Sequence, residues 1–201
     1  LYSEACEAAL ERVVAHCHRI GTAKIGVQLA HAGRKGSARM PWEGRGEGTA
    51  APDPWQTIAP SAIPFGTDWA PPRAMTQADI ERVREAFTAA ARRAVRIGFD
   101  AIEMHTAHGY LLHSFVSPLS NRRNDEYGGE LEGRMRFPLE VARAVRAVVP
   151  KGTPLGARIT GTDWVDGGLT VDDAVVFAKA LKGAGLDYVD VSSGAITADA
   201  Q

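Results

Sequence analysis

Cysteine is scarce in this chain: among 201 residues only Cys6 and Cys17 carry a thiol, and both fall in one stretch of helical pattern. Their spacing returns them to about the same helix face, so a disulfide framework is not supported and a reducing compartment fits better. An excess of charge of one sign is also lacking. With 23 Lys and Arg against 24 Asp and Glu the formal net charge is -1, without the basic stripe that a nucleic acid or an anionic membrane surface calls for. No apolar run approaches the ~20 residues needed to span a bilayer, and no signal peptide is legible. The expected location is cytoplasmic and the expected partner a small molecule. Two Gly-rich signatures are missing as well. No Gly-x-Gly-x-x-Gly follows a strand and no Gly-x-x-x-x-Gly-Lys-Ser/Thr occurs, which removes the usual support for a dinucleotide fold or a P-loop.

What is present is a 45% hydrophobic chain, long enough to bury the core of one domain. Its apolar pattern alternates between two periods. Residues 1–19 read as a helix already under way with no N-cap ahead of it, and Gly21 closes it before a strand at 24–29. In 76–98, Thr76 and Asp79 resemble a helix N-cap, Ile80, Val83, Phe87, Ala91 and Ala94 recur at helical spacing, and Gly98 ends the run. A strand at 101–105 follows. The phrase repeats with helices at 134–149 and 170–184 and strands at 154–160 and 188–192. Four near-continuous apolar strands alternating with helices predict a parallel sheet covered on both faces, with a barrel favoured over an open sheet. Between the first strand and the second helix, a long Gly- and Pro-rich stretch at about 30–74 reads as a covering loop, packed by Trp42, Trp55 and Trp69. The last strand is followed by too few residues for another helix, so the chain is expected to begin and to end within its fold.

The segment from Ile102 to Leu112 is the most informative. It places His105, His108 and Tyr110, three groups able to donate a proton or a hydrogen bond, at the end of a buried strand. In a barrel of parallel strands the carboxyl ends form the active face. Gln28, Arg158 and Ser192-Ser193 fall at the ends of the other strands, so a common rim would gather an amide, a fixed cationic fork and two imidazoles. Such a set suits a polar heterocycle. Arg158 could instead pair with Asp190 or Glu103, and Gln28 could make a plain core hydrogen bond. His-x-x-His suggests a metal, but no third ligand stands at a convincing distance. Neither cysteine lies near the histidines in sequence, and Ser192 lacks a Gly-x-Ser-x-Gly turn. Acid and oxyanion chemistry is left.

At this level of detail the chain resembles a known family. The runs Gln28-Leu29-x-His31-x-Gly33-Arg34, Gly98-Phe99-Asp100-x-Ile102-Glu103-x-His105-x-x-His108-Gly109-Tyr110-Leu111 and Phe115-x-Ser117-Pro118-x-x-Asn121-x-Arg123-x-Asp125-x-Tyr127-Gly128-Gly129, with Arg158 and Asp190-x-Ser192-Ser193-Gly194, look like the old yellow enzyme family of FMN-dependent NADPH:ene reductases, in its bacterial branch. The resemblance implies a TIM (β/α)8 barrel of which this chain covers about strands 3 to 6, in one partial barrel domain over 1–201. It implies FMN as cofactor, NADPH or NADH as reductant, an activated alkene (enone, enal or nitroalkene) as substrate and a homo-oligomeric full-length form. It further implies that Gln28 and Arg158 contact the flavin ring, that His105 and His108 bind the substrate's carbonyl or nitro oxygen, and that Tyr110 donates the proton. Hydride delivery to the β-carbon of an enone drives negative charge onto its oxygen. Two imidazole N–H donors aimed there act as an oxyanion hole, where one donor contributes roughly 3–4 kcal/mol in other enzymes.

The family's usual Gly-Gly-Ser-x-Glu-Asn-Arg run reads here Gly128-Gly129-Glu130-Leu131-Glu132-Gly133-Arg134, so the polar cap of the next helix is altered. Asn121, Arg123, Asp125 and Tyr127 are expected to brace a loop. Two other readings compete: a catalytically silent barrel fragment serving as an assembly module, and a related flavin barrel acting on dienoyl-CoA esters or amines, which typically carries an iron–sulfur cysteine cluster that these residues lack.

Overall fold

The computed structural model describes residues 1–38, 42 and 55–198. Four parallel strands, β1 (Gly26–Leu29), β4 (Ala101–Thr106), β5 (Leu155–Thr160) and β6 (Tyr188–Ser192), form one sheet in the order β1-β4-β5-β6. Spatial order follows chain order with no reversal. A doubly wound sheet reverses at its switch point, whereas a barrel adds each strand beside the last, so this sheet is an arc of a barrel. The inserted stretch contributes its own pair, β2 (Ile58–Ala59) and β3 (Arg73–Ala74), also parallel. Residues 39–41 and 43–54 of the expected covering loop lie outside the described residues.

The helices are α1 (Glu4–Ile20), α2 (Gln77–Arg96), the short α3 (Leu111–Val116), α4 (Leu131–Arg146) and α5 (Val171–Gly183). α1 corrects the sequence reading of its start. Ser3 is an N-cap in extended backbone, and its hydroxyl accepts from the Cys6 N–H at 3.2 Å; a capping serine three residues into the sequence is easily read as part of the helix. α2 and α5 open on complete capping boxes, Thr76 with Asp79 and Thr170 with Asp173. Asp does here what Glu usually does. α4 has Glu130 at its N-cap position with no side-chain cap bond, as its altered run suggested; Arg134 in its first turn donates to the carbonyls of Val116 and Gly129.

One face of the sheet is apolar: Leu29 stands beside Met104 and Met104 beside Ala157, with Ile102 beside Leu155. These pack on Val83, Phe87, Phe137, Val141 and Phe177 from the helices, several of them fully buried. At about 25 cal/mol per Å² of apolar surface removed from water, this layer is the main stabilising element. The other face is polar, and its side chains fall into rows. Gln28 is level with Glu103, Gly156 and Tyr188; the next row towards the carboxyl ends holds His105, Arg158 and Asp190. Gly156 makes room there for the Tyr188 ring, which a Cβ would displace. Among the described residues Trp69 stacks edge-on against Phe65 with centroids 4.9 Å apart, while Trp42 and Trp55 are 78% and 64% exposed. A Pro- and Gly-rich segment can hold an aromatic at its surface as readily as beneath it.

Candidate active site

His105 enters from the polar row of β4, next to Arg158 in register. Beyond Thr106 the chain turns sharply, because His108 (φ 57°) and Gly109 (φ 71°) both take left-handed backbone. Position 109 needs glycine twice over: for its φ, and because a Cβ would run into the Ala195 carbonyl. His108 has no such freedom, and its conformation costs roughly 1–2 kcal/mol. It is held by its neighbours. The His108 N–H donates to Thr160 Oγ1 at 3.1 Å and the Gly109 N–H to His113 Nδ1 at 2.8 Å. The turn brings the rings together, with the His105 centroid 5.2 Å from that of His108 and 4.8 Å from that of Tyr110.

The protonation states follow from the surroundings. His105 Nδ1 accepts from the Ala107 N–H at 3.2 Å, which leaves the proton on Nε2. Burial, then the charges of His108 and Arg158, push its pKa down to about 4, so at neutral pH it is an uncharged donor. Burial and then Arg158 also lower His108, whose Nε2 lies 2.6 Å from Ser192 Oγ. Arg158 Nε is 3.4 Å from Asp190 Oδ2, while that buried nitrogen has no hydrogen-bond partner among the described residues. Gln28 Nε2 donates to Glu103 Oε1 at 2.7 Å. The ion pair that the sequence left open is therefore present, while the Gln28 hydrogen bond is made at an exposed position and not in the core; both lie on the same sheet face as the histidine cluster.

Other members were invisible in the sequence. Lys35 donates to the His108 carbonyl at 3.0 Å across 73 residues, with its ammonium 4.4 Å from the Phe65 centroid and 4.9 Å from that of Tyr110. Burial, then the nearby Arg34, push its pKa down to about 8. Arg34 is structural, donating to the carbonyls of Ile63, Pro64 and Ile196. His31 Nδ1 accepts from the Gly33 N–H at 3.0 Å. The loop-bracing group behaves as expected: Asn121 donates to the carbonyls of Phe115 and Tyr127, and Arg123 to those of Pro60 and Met75.

A flat ring with carbonyl and imino groups along one edge fits this donor set. An amide, an arginine with a buried uncommitted N–H and a pair of uncharged imidazoles complement alternating acceptors and donors, and a cation beside such a ring favours its reduced, anionic form. Fold and site together define half of a flavin-type (β/α) barrel. The comparisons agree: the model of the NADH:flavin oxidoreductase / NADH oxidase family matches residues 1–201, and the chain belongs to that family. It is 51% identical over 174 residues to an NADPH dehydrogenase of Geobacillus thermodenitrificans, covering 87% of this chain and 46% of that protein. An NADH:flavin oxidoreductase of Gibberella zeae is 44% identical over 202 residues, 93% of this chain and 48% of its own. Among solved structures, morphinone reductase superposes with a TM-score of 0.76 at 32% identity, over 94% of this chain and 52% of that one. A 2-naphthoyl-CoA reductase complex does so at 0.81 and 28%, over 96% and 29%. The chain thus spans about half the length of the curated relatives it matches. No helix among the described residues is long and apolar enough to cross a membrane.

Proposed function

We propose that this chain carries the ring-binding and substrate-binding half of an FMN-dependent oxidoreductase that moves hydride from NADPH or NADH to the C=C bond of an enone, enal or nitroalkene. The observation that carries the reading is the convergence of His105, His108 and Tyr110 at the carboxyl end of β4, on the sheet face that holds Arg158. When bound, FMN supplies the relay of hydride between nicotinamide and alkene. Gln28 and Arg158 hold the polar edge of its ring. His105 Nε2–H and the His108 ring donate to the carbonyl or nitro oxygen, where charge builds up as hydride arrives at the β-carbon. Tyr110 delivers the proton to the α-carbon, a role for a general acid within reach of the reacting carbon. Lys35 fastens the loop that presents these groups.

A flavin barrel acting on CoA esters or amines is the second reading, since 2-naphthoyl-CoA reductase and histamine dehydrogenase from Rhizobium sp. 4-9 are among the similar structures. Their identities of 28% and 30% against 51% for an NADPH dehydrogenase favour the first. Anaerobic stopped-flow spectroscopy of the flavin-loaded protein tests it. NADPH should bleach the flavin absorbance and 2-cyclohexenone should restore it. A protein that is bleached but not reoxidised by any activated alkene overturns the reading, and one that takes up no flavin favours the silent assembly module.

A further inference from the structure

Behind the donor loop lies a buried ionisable pair that the proposed chemistry does not use. His113 on α3 and Asp163 in the loop after β5 have side chains 1% and 0% exposed, with His113 Nε2 and Asp163 Oδ1 3.1 Å apart. Both atoms are off hydrogen-bond geometry and neither has another partner among the described residues, so a donor and an acceptor face each other without competition. The carboxylate is otherwise well satisfied: Oδ2 accepts from the Ser117 hydroxyl at 2.6 Å and from the Leu169 N–H at 2.8 Å. Burial alone would raise its pKa, but His113 and these donors together hold it below the usual carboxylate range.

We propose that His113 and Asp163 are a positioning pair for the loop that presents His108 and Tyr110. This rests on the reading of that loop as the substrate-binding one. The link is the second ring nitrogen. His113 Nδ1 accepts from the Gly109 N–H at 2.8 Å, so the ring proton must reside on Nε2, facing Asp163. Thr160 Oγ1, 3.5 Å from that Nδ1, holds the adjoining His108 N–H. Two consecutive amides of a left-handed turn are thereby fixed from below. Were the proton to move to Nδ1, two N–H groups would confront each other and the turn would lose its acceptor. A packed apolar pair would serve stability at least as well as a buried polar pair; what an apolar pair cannot do is fix a tautomer and anchor an amide. The carboxylate of a catalytic triad fixes its histidine in the same way.

The test uses flavin-loaded protein with ¹⁵N-labelled histidine. Long-range ¹H–¹⁵N correlation should show His113 protonated at Nε2, and the Gly109 amide should exchange as slowly as those of β4. In Asp163→Asn the new amide can donate to Nε2, so the proton should shift towards Nδ1. The Kd for p-hydroxybenzaldehyde should then rise about tenfold, the worth of one hydrogen bond of about 1.4 kcal/mol, with FMN stoichiometry unchanged. An Nδ1-protonated ring in the unsubstituted protein overturns the proposal, as does an Asp163→Asn protein with unchanged tautomer and affinity. Should Asp163→Asn not fold, the tautomer and Gly109 exchange of the unsubstituted protein decide. If that protein binds no phenol at all, the proposed function fails, while those two measurements still decide the pair.

Discussion

Replacing His105 by Ala should weaken phenolate binding more than replacing His108, and the structure says by how much. The His105 ring spends Nδ1 on the Ala107 N–H at 3.2 Å, which leaves Nε2–H as its donor to a ligand. A hydrogen bond from it to a phenolate oxygen contributes roughly 1.5–3 kcal/mol, or about 10- to 150-fold in Kd. The Ala107 N–H also loses its acceptor, which places the expected effect in the upper half of that range. His108 differs because its Nε2 is already committed to Ser192 Oγ at 2.6 Å. A ligand must exchange that bond for its own, so the net loss in His108→Ala is about 1 kcal/mol, roughly fivefold. The assay is titration of flavin-loaded protein with p-hydroxybenzaldehyde, following the long-wavelength charge-transfer band, with FMN content and melting temperature as controls. Because the His105 pKa is pushed down to about 4, the affinity of His108→Ala, corrected for the phenol's own ionisation, should stay level between about pH 5 and the ordinary histidine pKa of about 6.5. A larger effect from His108, or a step in that affinity near pH 6.5, would refute the assignment of His105 as the uncharged primary donor.

Tyr110→Phe should slow the oxidative half-reaction about 10²-fold, the lower end of general acid catalysis, and leave flavin reduction by NADPH nearly unchanged; equal slowing of both halves would point to a structural role. Lys35 is half-buried with its pKa pushed down to about 8, so it loses its charge as pH rises through that value; a step near pH 8 in phenol affinity should vanish in Lys35→Met, and a step that persists would assign it to another group. Asp79 accepts two hydrogen bonds from Arg73, one from Arg82 and that of the Thr76 N–H. Those to Arg73, then to Thr76, hold its carboxyl well below the usual range. A depressed carboxylate lends stability that is full above its unfolded pKa of about 3.9 and is lost as pH falls below it. Asp79→Asn should therefore cost roughly 2–3 kcal/mol at pH 7 and less near pH 2, measured by urea unfolding; a loss independent of pH would show that the charge is not what matters.

Much of this protein was legible in sequence because the relevant physics is local. Alternation of helical and strand periods gave the parallel sheet, and each strand and long helix falls within a few residues of its expected place. The cluster at the end of β4 was equally legible, since His105, His108 and Tyr110 lie within one turn of chain and only a sharp turn was needed to bring their rings together. α3 and the β2–β3 pair escaped notice, being too short to show a period and stabilised by what covers them. Partnerships across the sheet were out of reach in another way. Whether Arg158 faces Asp190 or Glu103 depends on strand register, and β5 against β6 settles it for Asp190. Lys35 reaches the site across 73 residues, and Asp163 meets His113 from a loop on the next strand. Nothing in the local pattern marks such residues, because a buried charge is tolerated only where tertiary packing supplies its partner. The sequence by itself determined which chemistry-bearing side chains cluster and at which end of the sheet they stand; tertiary structure alone decided their tautomers, their charge states and the backbone strain that aims them, since all three follow from which distant groups complete each hydrogen bond.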